Sequence, residues 1–138
     1  LDLLRSRKPD TIFTPHDREF EDLVGYRPSP RRIEDVQKAA KLTNSIVLLK
    51  GPITVVANPE GRCLVVANGD SRLATAGTGD VLSGIIGAFL AQGVPGMEAA
   101  AMGAWIHAKA GQFLLKRGMV ASDLINLIPE AMHATDMG

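Results

Sequence analysis

Residues 74–84 read Ala74-Thr75-Ala76-Gly77-Thr78-Gly79-Asp80-Val81-Leu82-Ser83-Gly84, a polar loop that runs directly into an apolar helix. The two glycines of the loop free the backbone N–H groups of residues 77–80 to point toward an anion, and the helix dipole favours negative charge there. An aspartate in such a loop would repel a bound phosphate, so its presence suggests a chemical role for its negative charge. The most direct use is to take a proton from a hydroxyl beside the phosphate. The stretch therefore predicts a catalytic phosphate site.

Two plainer interpretations of the same stretch stay open. A Gly-x-Gly sequence before a helix is common as a tight turn without a ligand. Asp80 can also act as the N-cap of a helix that begins at residue 81, since aspartate is favoured at that position.

Composition predicts one globular domain without a nucleic-acid or membrane partner. The chain has 138 residues, 46% of them hydrophobic, and its formal net charge is zero. Its most apolar stretch, around residues 81–91, is too short to span a bilayer, and the amino terminus does not resemble a signal peptide. Cys63 is the single cysteine, which excludes an intrachain disulfide and favours a reducing compartment. These features predict a cytoplasmic protein.

Strand and helix patterns follow one another along the chain and predict a layered α/β domain. Strands are predicted over 11–14, 45–50, 53–57 and 62–67, and the turn at 58–61 makes the last two a hairpin. The run 45–50 is continuously apolar, as expected for a strand covered on both faces. Helices are predicted from the N-cap Ser29 to about residue 43, from 81 to Gly93, over 97–117, and from Ser122 with a break at Pro129.

Two helix faces can be assigned from these patterns. In the first helix, the apolar stripe is predicted at residues 33, 36, 37, 40 and 42. In the second, glycines and alanines at 84, 87, 88 and 91 are predicted to allow close packing on a sheet.

The longer stretch from Asn68 to Asp80 resembles the nucleotide and catalytic loop of the ribokinase-like superfamily. Within that superfamily, Leu73 to Gly84 is most similar to the ADP/ATP-dependent NAD(P)H-hydrate dehydratases. The resemblance implies a ribokinase-like layered α/β/α fold over residues 1–138, as a single partial domain. It covers only the carboxy-terminal, nucleotide-binding half of the family domain. Because a partial sheet leaves an edge strand open, we expect a homo-oligomer.

The resemblance implies roles for two segments. Asp80 would be the catalytic base and touch the hydroxyl of the hydrated nicotinamide ring, while the amides of residues 77–79 would hold the transferred phosphoryl group. The stretch Lys50-Gly51-Pro52-Ile53-Thr54 resembles the family's Lys-Gly-x-x-Thr, which contacts the adenine nucleotide; a lysine that leaves a strand for solvent is the alternative. The nucleotide-binding residues so implied are Lys50, Gly51, Pro52, Ile53, Thr54, Asp70, Leu73, Ala74, Thr75, Gly77, Thr78 and Gly79.

A third segment, residues 14–20, resembles the family's Thr-Pro-His-Pro-Gly-Glu-Phe, with Asp17-Arg18 in place of Pro-Gly. The resemblance implies that His16 and Glu19 lie at the substrate, together with Asp80. No direct metal ligand is implied, but Glu19 would organise Mg²⁺ and phosphate through water. The alternatives are that His16 caps a helix or holds the loop, and that Glu19 is an ordinary first-turn carboxylate.

The remaining histidines and the cysteine carry weaker signals. His107 stands in a stretch similar to the family's His-Gly-x-Ala-Gly, yet a histidine on a packed helix face is usually structural. His133 and Cys63 have no partner at metal-ligand spacing, which argues against a zinc site.

Three functions are consistent with these motifs. The first is a lyase that repairs hydrated NADH or NADPH: ADP or ATP, with Mg²⁺, phosphorylates the ring hydroxyl, and phosphate then leaves. The second is a small-molecule kinase of the same superfamily. The third is a truncated half-domain that binds nucleotide without turnover. The sequence does not discriminate ADP from ATP, or NADH hydrate from NADPH hydrate.

Overall fold

A four-stranded sheet lies at the centre of the part of the protein that the computed structural model describes, residues 11–67 and 78–117. The strands are β1 (Ile12–Phe13), β2 (Ile46–Leu49), β3 (Thr54–Ala57) and β4 (Cys63–Val66), in the sheet order β1-β2-β3-β4. The helices are α1 (Asp17–Val24), α2 (Arg32–Thr43), α3 (Thr78–Ala91) and α4 (Gly96–Arg117). This is the layered α/β architecture that the sequence predicts.

Helices cover the sheet on both faces, and β2 shows this most directly. Ile46 and Leu48 pack in the apolar cluster of α3 and α4, whereas Val47 and Leu49 pack in the cluster of α1 and α2. None of the four side chains is more than 5% exposed. Because successive side chains of a strand point to opposite faces, a strand buried on both sides must be apolar throughout. The prediction from the continuous apolar run is confirmed.

The strand connections bring two chain segments to one edge of the sheet. β1 and β2 pair in parallel, with α1 and α2 in the connection between them, whereas β2, β3 and β4 pair in antiparallel order. The predicted hairpin is confirmed, and Gly61 closes its turn with a φ of 94°. Because β1 and β2 run in parallel, the residues that follow each of them emerge at the same edge.

The start of α2 differs from the prediction. The helix begins at Arg32, with Arg31 at the N-cap position, and not directly after Ser29. The Ser29 backbone N–H and hydroxyl both donate to Asp35 Oδ2, at 2.6 and 2.7 Å. The Ser29 hydroxyl oxygen also accepts from the Arg31 N–H at 3.1 Å. The serine therefore bonds the N-cap residue and a side chain one turn into the helix, and the helix begins two residues later than predicted.

The stripe predicted for α2 is also partly wrong. Ile33 is 46% exposed, and the buried residues of the helix are Val36, Ala39, Ala40 and Thr43. The inward face is thus narrow, and two of its four buried residues are alanine. A small inward face lets the helix lie close to β2 and β3.

The face predicted to pack in α3 is wrong as well. Gly84 and Gly87 are exposed, and a Cβ placed on either would meet nothing within 4 Å. The inward side chains are Leu82, Ile85, Ile86 and Phe89. The helix is apolar around much of its circumference, and its large side chains bury more apolar area when they face the core.

Close approach between helices is instead provided by Gly103 of α4. A Cβ there would lie 2.6 Å from Ile86 Cγ1, so only glycine allows the two helices to come this close. α4 agrees with the predicted 97–117 helix to within one residue at its start, whereas the helix predicted from Ser122 lies outside the described residues. Within the described ranges, none of the helices combines the length and hydrophobicity needed to cross a bilayer.

Candidate active site

The site forms where the chain leaves β1 and β2 and where α3 begins. Lys50 directly follows β2 and is 26% exposed, with its Nζ 3.9 Å from Glu19 Oε1. The same Nζ would lie 3.2 Å from a Cβ placed on Gly79, in the first turn of α3. The structure thus brings together residues from three segments that the sequence singles out, with the Lys50 ammonium between them.

His16 and Glu19 form the amino-terminal cap of α1. His16 occupies the N-cap position; its Nδ1 accepts a hydrogen bond from the Glu19 N–H at 3.2 Å, and Glu19 Oε1 accepts one from the His16 N–H at 3.1 Å. This reciprocal arrangement satisfies backbone donors that the helix itself leaves unpaired. The capping interpretation of His16 is therefore what the structure shows, and its contact with substrate stays a prediction.

Substitution of His16 separates capping from substrate binding. His16→Ala is expected to lower the free energy of unfolding by about 1 kcal/mol through loss of the cap. His16→Asn is expected to restore that stability, since asparagine is among the best N-cap residues. Chemical denaturation measures the first effect, and turnover of the two variants measures the second. If His16 acts only as a cap, His16→Asn recovers turnover as well as stability; stability without turnover indicates a role at the substrate.

The first turn of α3 provides the backbone donors of the site. The helix begins at Thr78, which places Asp80 inside its first turn and not at the N-cap of a helix from 81, so the N-cap interpretation is wrong. N–H groups in the first turn of an α-helix have no partner within the helix, and the dipole makes this end positive. The Asp80 carboxylate is exposed at this end, close in sequence to Gly79. An anion bound here would meet backbone donors and the Lys50 ammonium.

The strand predicted over 53–57 begins one residue later, after a short turn that follows Lys50. β3 begins at Thr54, so Ile53 belongs to the turn, where it is 51% exposed. Thr54 is buried, and its hydroxyl donates to the Gly51 carbonyl at 3.4 Å, within the turn itself. Pro52 and Ile53 are therefore the residues of this turn most open to a ligand.

Several predicted site residues cannot be placed. Asp70, Leu73, Ala74, Thr75 and Gly77 lie outside the described residues, and their nucleotide contacts stay predictions.

Sequence reasoning missed Arg32. Its Nη1 donates to Asp17 Oδ1 and its Nη2 to the Lys50 carbonyl, both at 3.1 Å. The only signal available was the departure of Asp17 from the resembled family pattern. Arg32 thus joins the loop after β1 to the residue after β2.

Glu19 can be compared with what a Mg²⁺ ion needs from a protein. Among the described residues, no group of three or more His, Cys, Asp or Glu side chains could hold a metal ion. Burial raises the pKa of the Cys63 thiol, which keeps it protonated and a poor metal ligand. Mg²⁺ usually keeps several waters and needs only one or two carboxylates together with substrate phosphates. Glu19 fits that requirement.

The fold is that of a ribokinase-like α/β domain. A ribokinase-like superfamily protein from Enterococcus faecalis superposes on 91% of this chain and 46% of its own, with a TM-score of 0.73 and 26% identity. The profile of the family described as NAD(P)H-hydrate dehydratase matches residues 2–132. The chain belongs to that family.

Two further relatives carry this family's activity in their names. The bifunctional NAD(P)H-hydrate repair enzyme Nnr of Mycobacterium leprae is 48% identical over 109 residues, which make up 79% of this chain and 23% of that protein. The ADP/ATP-dependent NAD(P)H-hydrate dehydratase of Bacillus subtilis, co-crystallised with ATP and Mg²⁺, is 26% identical with a TM-score of 0.82. That match covers 95% of this chain and 52% of the Bacillus chain. The chain therefore spans about a quarter to a half of the proteins it resembles.

Proposed function

We propose that these residues belong to the nucleotide-binding and catalytic half of an enzyme that dehydrates NADH or NADPH hydrate at the expense of ADP or ATP. The observation that carries the proposal is the position of the Lys50 ammonium, between Glu19 and the first turn of α3 at Gly79. The site thus combines the Lys50 ammonium, the unpaired backbone donors of the first turn of α3, and the exposed carboxylate of Asp80, which follows Gly79 in sequence. A phosphoryl-transfer site needs these groups, because catalysis of that reaction is mainly positioning and charge stabilisation.

The proposed reaction uses each group once. Lys50 and the amides of residues 78 and 79 bind the terminal phosphoryl group of the nucleotide. Asp80 takes the proton from the ring hydroxyl as its oxygen attacks phosphorus, and the bond from phosphorus to the rest of the nucleotide breaks. Phosphate then leaves with the electron pair of the carbon–oxygen bond. The neighbouring ring carbon loses a proton to water, and the electron pair of its carbon–hydrogen bond forms the double bond of the ring again.

The remaining residues support binding. Glu19 would hold Mg²⁺ through water, and the ion would supply positive charge for the phosphate oxygens. The exposed Ile53 offers an apolar surface near Lys50 in sequence, which suits a nucleotide base. His16 stands beside Glu19 at the amino-terminal end of α1. If both residues bind the substrate, the substrate ring lies at this end of the helix.

Two other functions remain as alternatives. A small-molecule kinase would use the same Gly-Thr-Gly-Asp loop, but its phosphorylated product would persist. A half-domain that binds nucleotide without turnover is the other alternative, and it would release no product. The expected homo-oligomer also stays a prediction; among the described strands, β1 lies at an open edge of the sheet.

A recovery assay distinguishes these functions. NADH hydrate is incubated with the protein, Mg²⁺ and either ADP or ATP, and the return of the NADH absorbance is followed. The proposal predicts recovery that depends on nucleotide and releases one phosphate for each NADH. A phosphorylated hydrate that accumulates without NADH would favour the kinase. Nucleotide binding without any product would favour the half-domain.

A further inference from the structure

We propose that Asp17 and Arg32 form a clamp that positions Lys50 for the phosphate of the nucleotide. Neither residue is expected to touch the ligand, so both are positioning residues. The inference rests on the proposed function for the identity of the ligand. The geometry of the clamp itself is independent of it.

One guanidinium group joins two parts of the site. Arg32 reaches Asp17 Oδ1 through Nη1 and the Lys50 carbonyl through Nη2, each at 3.1 Å. Arg32 is 26% exposed and Asp17 is 62% exposed. A planar guanidinium can hold two acceptors in fixed directions at once, which a lysine ammonium does less well. Arg32 therefore joins the start of α1 to the residue that follows β2.

The backbone of Lys50 is consequently held on both sides. Its N–H donates to the Pro15 carbonyl at 2.9 Å, and its carbonyl accepts from Arg32. Pro15 and Asp17 flank His16 in sequence, so both connections lead back to the same short loop. The loop and Lys50 are thus expected to keep their relative position, and the Lys50 ammonium stays close to Glu19 and Gly79.

Gly51 leaves the space that the clamp needs. A Cβ at this position would lie 2.7 Å from Arg32 Nη2, so the guanidinium would have to move away from the Lys50 carbonyl. The glycine was predicted to let the chain approach a ligand. The structure shows that it lets Arg32 approach the backbone.

Asp17 is where this chain departs from the resembled family pattern, which has proline there. Proline offers no carboxylate to an arginine, whereas Asp17 does. The departure therefore adds an anchor for Arg32 at the amino-terminal end of α1.

The test compares ADP binding, with Mg²⁺, across a set of variants. Arg32→Ala is expected to raise the dissociation constant by about tenfold, and Asp17→Ala by less, as for residues coupled by a shared contact. The double variant is expected to bind no more weakly than Arg32→Ala, because the clamp is already broken. Arg32→Lys keeps the charge but is expected to restore little affinity. Asp17→Asn keeps an acceptor oxygen and is expected to bind better than Asp17→Ala.

Arg31→Ala is the matched control. Arg31 precedes Arg32 and is 79% exposed, with its guanidinium 3.6 Å from Glu34. Its removal is expected to leave the ADP dissociation constant within about twofold, as for a surface ion pair. Equal effects of Arg31→Ala and Arg32→Ala, or additive effects of the Asp17 and Arg32 substitutions, overturn the clamp. All titrations are run at a temperature at which thermal denaturation shows each variant to be folded.

A second readout separates the clamp from the proposed function. Without nucleotide, the backbone amide resonances of Lys50, Gly51 and Gly79 are compared between wild type and variants. Arg32→Ala is expected to shift all three, and Arg31→Ala none of them. If wild type binds neither ADP nor ATP, the proposed function is wrong and the amide shifts still decide the clamp. Unchanged resonances in Arg32→Ala would refute the clamp even where ADP binds.

Discussion

Asp80→Asn is expected to abolish dehydration of NADH hydrate while leaving nucleotide binding nearly intact. An amide has almost the same shape as a carboxylate but cannot accept the proton of the ring hydroxyl. We expect kcat to fall by about 10²–10⁴-fold, the usual contribution of a general base. The dissociation constant for ADP should stay within about threefold, because the phosphate is held by other groups and the lost charge was repulsive. Single-turnover recovery of NADH measures the rate, and calorimetric titration measures the affinity.

The control for this prediction is Asp22→Asn. Asp22 is exposed on α1, so the substitution makes the same chemical change away from the proposed site. It is expected to leave both rate and affinity unchanged. Near-normal turnover in Asp80→Asn would show that Asp80 is an ordinary first-turn carboxylate, favoured there by the helix dipole alone.

Lys50→Ala is expected to act mainly on binding, in contrast to Asp80→Asn. It should raise the dissociation constant of the nucleotide by a larger factor than it lowers kcat. Hydrogen bonds to charged groups contribute about 1.5–3 kcal/mol, so the dissociation constant should rise by roughly 10–100-fold. The substitution also leaves Glu19 without the cation that lies 3.9 Å away, and its negative charge then repels the phosphate. Calorimetric titration with ADP and Mg²⁺ measures the change.

Lys41→Ala provides the matched loss of one positive charge. Lys41 is exposed in the last turn of α2, away from the residues that surround Lys50. Its removal is expected to change nucleotide affinity by less than about twofold, since exposed charges are strongly screened. Equal losses in the two variants would mean that Lys50 acts only through the net charge of the protein, against the proposed contact.

Local sequence signals predicted the strands well, because each was set by residues close together in the chain. The continuous apolar run at 45–50 indicated a strand buried on both faces, and β2 has that environment. Turn residues at 58–61 indicated the hairpin of β3 and β4. The register of β1 against β2 could not be predicted in this way, since it depends on packing across a long connection.

Helix faces were harder to predict where hydrophobicity was uniform. α3 has apolar residues around much of its surface, so small and large side chains were equally acceptable as its inward face. The structure buries Ile85 and Phe89 and exposes Gly84 and Gly87. The start of α2 was misplaced for another reason: Ser29 forms its hydrogen bonds with Asp35, which no propensity rule describes.

The arrangement of the candidate site could not be predicted from local sequence either. Motif resemblance indicated Lys50, His16 and Glu19 separately, but their proximity follows from the parallel pairing of β1 and β2. Arg32 was missed because its two partners are 15 and 18 residues away in sequence. An arginine near a helix start carries no local signal of such a role.

The most direct test of the proposed site is calorimetric titration of this chain and its Lys50→Ala variant with ADP and with ATP, each with Mg²⁺. We predict that the chain binds one of the two nucleotides with a dissociation constant on the order of micromolar, and that Lys50→Ala weakens this binding at least about tenfold. No binding of either nucleotide at millimolar concentration, or equal binding by both proteins, would contradict a nucleotide site at Lys50 and the first turn of α3.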